Sequence, residues 1–136
     1  MIECIAPNYQ IIKFSNHQIG FMKFIISLVL TALLSFAACL YFPWWSIAIV
    51  AFIVAALIAQ RPGRAFLAGF TALFLLWGGL GLWISSNNDH VLAHKISLLL
   101  LQMDNPSLLI FLTAFIGALV AGLAALTGSY LRKTRA

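Results

Sequence analysis

LLIFLTAFIGALVAGLAALTGSYL (108–131) is a long, predominantly apolar run that contains no Asp, Glu, Lys, Arg or His. A helix of about 20 such residues crosses the hydrocarbon core of a bilayer, where only helices and closed barrels satisfy their own backbone hydrogen bonds. The run therefore predicts a transmembrane helix. It also sets the class of the whole chain, which we expect to be an all-α membrane protein.

Three earlier runs have the same character, so the predicted fold is a bundle of four transmembrane helices. None of the four runs contains an acidic, basic or histidine side chain. The second run is short for a bilayer that needs about 20 apolar residues, and interfacial residues at its ends are expected to complete the crossing. The predicted spans are approximately 24–42, 44–59, 65–85 and 108–131.

The composition agrees with lipid as the solvent of this chain. Of its 136 residues, 63% are hydrophobic and 8% are charged, whereas a soluble domain carries about 25% charged residues. The net charge of +5 would suit nucleic acid, but the basic residues are scattered at span ends and form no continuous face. We therefore expect the lipid bilayer, and no nucleic acid, as a partner.

The basic residues also predict an orientation. Cytoplasmic loops collect Lys and Arg because basic flanks resist translocation and are attracted to anionic headgroups. In a four-span topology only Lys95 lies on the outer side. The pattern predicts a multi-pass protein of the cell inner membrane with both termini in the cytoplasm. The residues on the cytoplasmic side are Lys13, Lys23, Arg61, Arg64, Arg132, Lys133 and Arg135.

Several span ends carry residues that are typical of membrane interfaces. Pro43 ends the first span, because proline cannot continue a helix interior, and two tryptophans follow it. Indole rings favour the interface since the N–H meets water while the ring meets lipid. The predicted interface anchors are Trp44, Trp45, Arg61, Arg64, Trp83, Arg132 and Lys133.

The chain is predicted to have a single transmembrane domain, residues 23–136, preceded by an extension. Residues 1–22 are polar to mixed and lack a clear period, and Met22 followed by Lys23 resembles a natural start. We interpret the extension as upstream sequence or a poorly ordered tail. The predicted topology puts Cys4 and Cys39 on opposite sides of the bilayer, so we expect no disulfide between them.

The outer segment, residues 86–106, is too short to cross the bilayer. Its apolar residues recur at helical spacing and predict a helix at the outer interface or across the end of the bundle. His90 and His94 would share one helix face, as in helical metal sites, with Asp89 as a further candidate ligand. No third spaced ligand and no His-Glu-x-x-His motif is present, so we predict no metal, no cofactor and no enzymatic activity.

The first span carries a row of small polar residues that share one helix face because they recur every four positions. The row has two interpretations. It is a polar lining along a pore or lipid groove, or it packs against a neighbouring helix, and packing is favoured because hydroxyls bond their own helix backbone at little cost. The residues are Ser27, Thr31, Ser35 and Cys39.

Small residues in the third and fourth spans predict close helix packing. Spacings of four between Gly and Ala in the fourth span allow two helix backbones to approach closely in lipid. The three glycines in four positions of the third span either allow the same close approach or mark a kink or a partly unwound segment. The spacing does not distinguish a contact inside the chain from a contact with a second copy. The residues are Gly78, Gly79, Gly81, Gly117, Ala118, Ala121, Gly122 and Ala125.

Four segments resemble a family of small four-helix inner-membrane proteins of Bacteroidota bacteria. The segments are PWWSIA (43–48), QRPGRAFLAGF (60–70), ALFLLWGG (72–79) and ALTGSYLR (125–132). The resemblance covers residues 41–131, about two-thirds of the chain, and the extension before Met22 departs from the usual start of the family. It implies an inner-membrane location and a four-helix topology, and it implies no activity.

Three functional hypotheses remain after these observations. The first is a non-enzymatic subunit of a homo-oligomer or of a larger membrane complex. The second is a passive channel or carrier for a neutral or lipid-like solute, since charge-coupled transport usually needs an ionisable residue inside the bundle. The third is a metal-binding protein that uses His90 and His94 at the outer face.

Overall fold

The computed structural model describes the backbone of residues 2–135 and the side chains of residues 10–132. Within these residues the chain forms helices joined by turns, with no strand, which confirms the all-α class. The helices are α1 (Ile2–Tyr41), α2 (Ser46–Leu57), α3 (Pro62–Asn87), α4 (Val91–Leu101) and α5 (Pro106–Arg135).

Three helices are long and apolar enough to cross a bilayer. They contain the segments Gln10–Tyr41, Pro62–Asn87 and Pro106–Arg132, which correspond to the first, third and fourth predicted spans. The second predicted span corresponds to α2, which has only 12 residues. At the helical rise α2 is about 18 Å long, less than the ~30 Å of the hydrocarbon core. The structure thus supports three span-length helices, and α2 is too short to cross as a helix alone.

The first helix begins far earlier than the predicted first span. The extension is helical from Ile2 onward and continues without a break into the apolar segment. From Asn8 to Tyr41 the sequence contains no proline and a single glycine. Once the apolar segment has formed a helix, each preceding residue adds a hydrogen bond at low cost, so the helix extends through the polar region.

The core is made of small side chains, whereas most large apolar side chains face outward. Among residues 10–132 alanine is the commonest buried apolar residue, and the larger buried aliphatics there are Ile47, Val54 and Leu73. By contrast Leu33 is 63% exposed and Leu99 is 83% exposed. Exposing large apolar side chains to water is unfavourable. Exposing them to lipid carries no such penalty, because the acyl chains are as apolar as leucine.

Helices α3 and α5 form the most extensive contact of the bundle. A side chain at Gly69 would place its Cβ 2.9 Å from the Ala121 carbonyl oxygen and 3.0 Å from the Ala125 Cβ. Ala118, Ala121 and Ala125 are all buried. The small-residue spacing predicted for the fourth span therefore serves the contact between α3 and α5.

An aromatic row, which was not among the features predicted from the sequence, runs beside this small-residue contact. The rings of Phe70 and Phe115 meet edge to face with centroids 5.7 Å apart, and those of Phe74 and Phe111 do so at 5.5 Å. Edge-to-face pairs are favourable because the positive ring edge meets the negative face. The phenylalanines recur every four residues on each helix, so the row fixes the lengthwise register of α3 and α5.

Helix α4 lies within the outer segment and confirms the prediction that this segment contains a helix. Residues with left-handed backbone conformation flank it, with φ of 57° at His90 and 53° at Gln102. These conformations reverse the chain at both ends of α4, so that it packs against α5 and, less extensively, α3.

We expect Gly128→Ala to lower the free energy of unfolding by about 1–3 kcal/mol, because overpacking a close contact displaces its neighbours. The new Cβ would collide with the Phe52 carbonyl oxygen of α2. The matched control is Gly79→Ala, at a helical glycine of α3 where a Cβ also meets nothing within 4 Å. Far-UV circular dichroism during SDS titration in mixed micelles measures both variants. Equal stability of Gly128→Ala and the unmodified chain would contradict the packing of α5 on α2.

Candidate functional site

Basic residues from separate elements surround one cavity, which we call the basic cavity. It has a volume of about 590 Å³ and lies where α1, the end of the α2 segment, the start of α3 and the end of α5 meet. The cations that line it are Lys23, Arg61, Arg64 and Arg132. The remaining lining residues are Asn16, Ile19, Gly20, Ala59, Gln60, Pro62 and Ser129.

The start of α3 positions two of the arginines. Pro62 occupies the first turn of α3 and Arg61 precedes it in an extended conformation, φ −65° and ψ 144°. Proline fits this position because its fixed φ suits a helix start and its missing N–H would have no helical partner. Arg61 supplies no side-chain cap, so no side chain there accepts from the first N–H groups of α3.

Two long side chains hold the end of the α2 segment. Arg132 donates from Nη1 to the carbonyl oxygens of Ala56 at 3.2 Å and Leu57 at 2.5 Å, which lack helical partners at the end of α2. Gln60 donates from Nε2 to the Lys23 carbonyl oxygen at 2.7 Å. Arg132, predicted as an interface anchor, thus also caps a helix, and no local sequence pattern indicated the role of Gln60.

The basic cavity has no described carboxylate beside it. The described acidic side chains are Asp89 and Asp104, and both lie in the outer segment, away from the cavity lining. Within residues 10–132 the salt bridge found is the one between His94 and Asp104. Clustered cations without counter-charges produce a positive potential that attracts anions.

One polar atom at this end has no hydrogen-bond partner. The donation from Gln60 Nε2 to the Lys23 carbonyl fixes the amide orientation, because the reverse orientation would set two acceptor oxygens against each other. Gln60 Oε1 is then buried with no donor among the described atoms. A buried acceptor without a donor is unfavourable, so this oxygen favours a ligand or water that donates a hydrogen bond.

The two histidines of the outer segment make separate contacts. His90 Nδ1 lies 2.6 Å from Ser85 Oγ at the end of α3. His94 Nδ1 contacts the Asp104 carboxylate, which joins α4 to the turn before α5. Among residues with described side chains, no group of three or more His, Cys, Asp or Glu is suited to hold a metal ion. The geometry gives both histidines contacts that tie α4 to its neighbours.

The polar row of α1 lies mostly inside the bundle. Ser27, Thr31 and Ser35 are buried, whereas Cys39 is exposed. Because α1 packs against α2 and α3, the buried members lie at these helix contacts. None of them lines the basic cavity or the tryptophan groove described below. Ser35 Oγ has no hydrogen-bond partner.

The predicted packing glycines divide into two groups. A Cβ at Gly122 would lie 2.8 Å from the Phe66 ring, one at Gly81 would lie 3.0 Å from Ile110, and one at Gly78 would lie 3.8 Å from Ala114. These three serve contacts within the chain. A Cβ at Gly79 or Gly117 would meet nothing within 4 Å. The structure thus leaves two predicted packing positions open on the outer surface of the bundle.

Gly117 lines an apolar groove of about 220 Å³, the tryptophan groove. Its lining comes from the turn before α2, the start of α2, α3 and α5, and it contains no charged side chain. Trp44 and Trp45 are exposed at 76% and 51%, as expected for interface anchors. The lining residues are Trp44, Trp45, Ile47, Ala48, Trp77, Thr113, Ile116, Gly117 and Val120.

The aromatic and basic anchors lie at opposite ends of the helices. Trp44 and Trp45 precede α2 and the basic cavity lies at its other end. Trp83, 70% exposed, lies near the end of α3 that is opposite Arg61 and Arg64. The side chain of Lys133 lies outside the described residues.

We expect Ser35→Ala to leave the free energy of unfolding unchanged or to raise it by up to ~1 kcal/mol, because it removes a buried hydroxyl that has no partner. The matched control is Ser97→Ala, another fully buried serine, whose Oγ donates to the His94 carbonyl at 2.9 Å. That variant loses a hydrogen bond, so we expect a decrease of up to ~1 kcal/mol. Thermal unfolding in detergent measures both. A clear loss of stability in Ser35→Ala would show that its hydroxyl has a bonded role.

Comparisons with known protein families, with curated proteins and with solved structures find no match for this chain.

Proposed function

We propose that this chain is an integral inner-membrane protein that crosses the bilayer four times and acts as a non-enzymatic subunit of a homo-oligomer. Alternatively, the chain is a subunit of a larger membrane complex, in which it contacts a helix of a different protein instead of a second copy of itself. In this proposal both termini and the basic cavity face the cytoplasm, and α4 lies at the outer interface. The family resemblance of residues 41–131 stays a prediction.

The path of the α2 segment supports a fourth crossing. Trp44 and Trp45 follow the end of α1 after two intervening residues, and Gln60 at the other end of the segment donates to the Lys23 carbonyl oxygen. The segment therefore returns along the part of α1 between Tyr41 and Lys23, which is about 27 Å of helix. The helical part of α2, the turn before it and the chain from Ile58 to Gln60 together cover this length, and these flanks lie where interfacial water can satisfy their backbone.

Reporter fusions test the number of crossings. An even number places residues 1 and 136 in the same compartment, whereas three crossings place them in opposite compartments. We expect alkaline phosphatase fusions at either end to be inactive and fluorescent cytoplasmic reporters at either end to be active, as basic flanks retain both ends inside. Opposite results at the two ends would rule out the fourth crossing.

The tryptophan groove is the observation that carries the subunit role. Helices associate in lipid through small residues that let a neighbouring backbone approach. Thr113 and Gly117 are separated by four on α5 and lie open in this groove, flanked by Ile116 and Val120 at 55% and 45% exposure. Most other small residues of α5 are buried in contacts with other helices of the same chain. The groove therefore has the shape and polarity to receive an apolar helix.

A second copy is the partner that this surface fits most directly. In a twofold dimer the same patch meets itself, so an α5 face with an open small residue and flanking β-branched residues supplies both sides of the contact. The polar-path and metal hypotheses have less support, because the buried row of α1 packs between helices and the two histidines bond different partners.

We expect Gly117→Leu to fill the groove and convert the oligomer in uncharged detergent to a monomer, as light scattering after size exclusion measures. Gly79→Leu is the matched control, since it adds the same side chain at an open helical glycine outside the groove. The control should keep the original mass. An unmodified chain that is monomeric in mild detergent and brings no partner would count decisively against the subunit role.

A further inference from the structure

We propose that the basic cavity is a binding site for the phosphate group of an anionic phospholipid whose headgroup carries hydroxyls, such as phosphatidylglycerol. The inference uses the integral-membrane part of the proposed function and is independent of the oligomer. The predicted interface anchors contact lipid headgroups in general, whereas this proposal assigns one class of lipid to one cavity.

The charge of the cavity selects an anion. Lys23, Arg61 and Arg64 line it without a carboxylate partner among the described side chains. Guanidinium groups bind phosphate oxygens through paired, charge-assisted hydrogen bonds, so arginine is well suited to this ligand. A phosphate neutralises cations that otherwise repel one another around the cavity.

The backbone adds to the same preference. The start of α3 carries the positive end of the helix dipole, and α3 is 26 residues long with no acidic residue in its first turn and no side-chain cap. Such a helix start binds phosphate through its free N–H groups. Arg61 and Arg64 flank this start, so the dipole and the two guanidinium groups act on one region.

Gln60 indicates which headgroup is preferred. Its Oε1 is buried and without a donor, and it belongs to a residue that lines the cavity. A glycerol headgroup has hydroxyls that donate to such an oxygen, and it carries no charge beyond the phosphate. An ethanolamine headgroup can also donate, but its ammonium group would be placed among cations and repelled.

The shape of the cavity favours a lipid over a soluble phosphate. At about 590 Å³ it is far larger than a phosphate group needs, and apolar side chains such as Ile19 and Ala59 form part of its lining. Ile19 is 46% exposed and Leu57, nearby at the end of α2, is 69% exposed. Acyl chains that leave the cavity can follow these apolar surfaces, whereas an inorganic ion gains nothing from them.

Gly20 provides a way to block the site without removing a charge. A Cβ at this position would meet the guanidinium of Arg64. Gly20 and Arg64 both line the cavity, and the Arg64 guanidinium lies next to Gly20. Gly20→Leu therefore fills part of the site and displaces the flexible Arg64 side chain. The variant therefore leaves the net charge of the chain unchanged.

Native mass spectrometry of the full-length protein in uncharged detergent tests the proposal. The probes are phosphatidylglycerol, phosphatidylethanolamine and diacylglycerol with identical acyl chains, and inorganic phosphate. We expect one phosphatidylglycerol to bind per chain, about tenfold more tightly than phosphatidylethanolamine, with no retention of diacylglycerol or inorganic phosphate. Comparable binding of inorganic phosphate or of diacylglycerol would overturn the lipid phosphate as the ligand.

Variants assign the binding to the cavity. Arg61→Gln with Arg64→Gln, and separately Gly20→Leu, should each weaken phosphatidylglycerol binding about tenfold or more. The matched control, Lys13→Gln with Lys95→Gln, removes the same number of charges outside the cavity and should bind like the unmodified chain. Circular dichroism confirms that each variant retains its helices. Equal losses in the control and in the arginine variant, or no loss in either cavity variant, would overturn the site; neither result depends on the oligomeric state.

Discussion

The close approach of the α3 and α5 backbones is the contact on which the rest of the bundle depends. In lipid the hydrophobic effect gives helices no reason to associate, so dispersion between closely packed surfaces must hold them. Gly69 against Ala121 and Ala125 allows that approach, and the phenylalanine row beside it fixes the register. A larger side chain at these positions would separate the two helices along their length.

Helix α2 is held by its neighbours and by contacts at its end. Gly128 of α5 lies against the α2 backbone at Phe52, while Arg132 and Gln60 fix the end of the α2 segment. The carbonyl groups at the end of α2 need donors wherever water is scarce. Arg132 supplies them. A basic residue at a span end therefore has a structural role here besides any attraction to headgroups.

The same arrangement explains why positive charge accumulates at one end. Helix α1 passes the turn between α2 and α3, and α5 ends beside it, so each element contributes its cation to a shared space. Acidic residues of the described region lie at the other end, where Asp104 contacts His94. The molecule thus has a basic end and an end with tryptophans and mixed charge. This asymmetry links the packing of the helices to the preference for an anion.

Much of the fold was predictable because it depends on local composition. Long apolar runs predicted the three span-length helices, and the apolar spacing of residues 90–101 predicted α4. Two features were not predictable. Residues 8–22 of the polar extension contain no proline, so the helix extends through them by helix cooperativity. The second run forms a helix of only 12 residues, because the chain becomes extended at Ile58 and the last carbonyl groups of α2 bond Arg132, which is distant in sequence.

The sequence by itself determined the long apolar segments, the helical class, the small-residue spacing and the position of basic residues at helix ends, because each is a property of neighbouring residues. Only the tertiary structure decided which small residues face inward and that Gly117 stays open. It alone brought Lys23, Arg61, Arg64 and Arg132 around one cavity and gave His90 and His94 different partners. The physical reason is that the rotation of each helix about its axis is set by contacts between distant residues, such as Gly69 with Ala121, which no local pattern encodes.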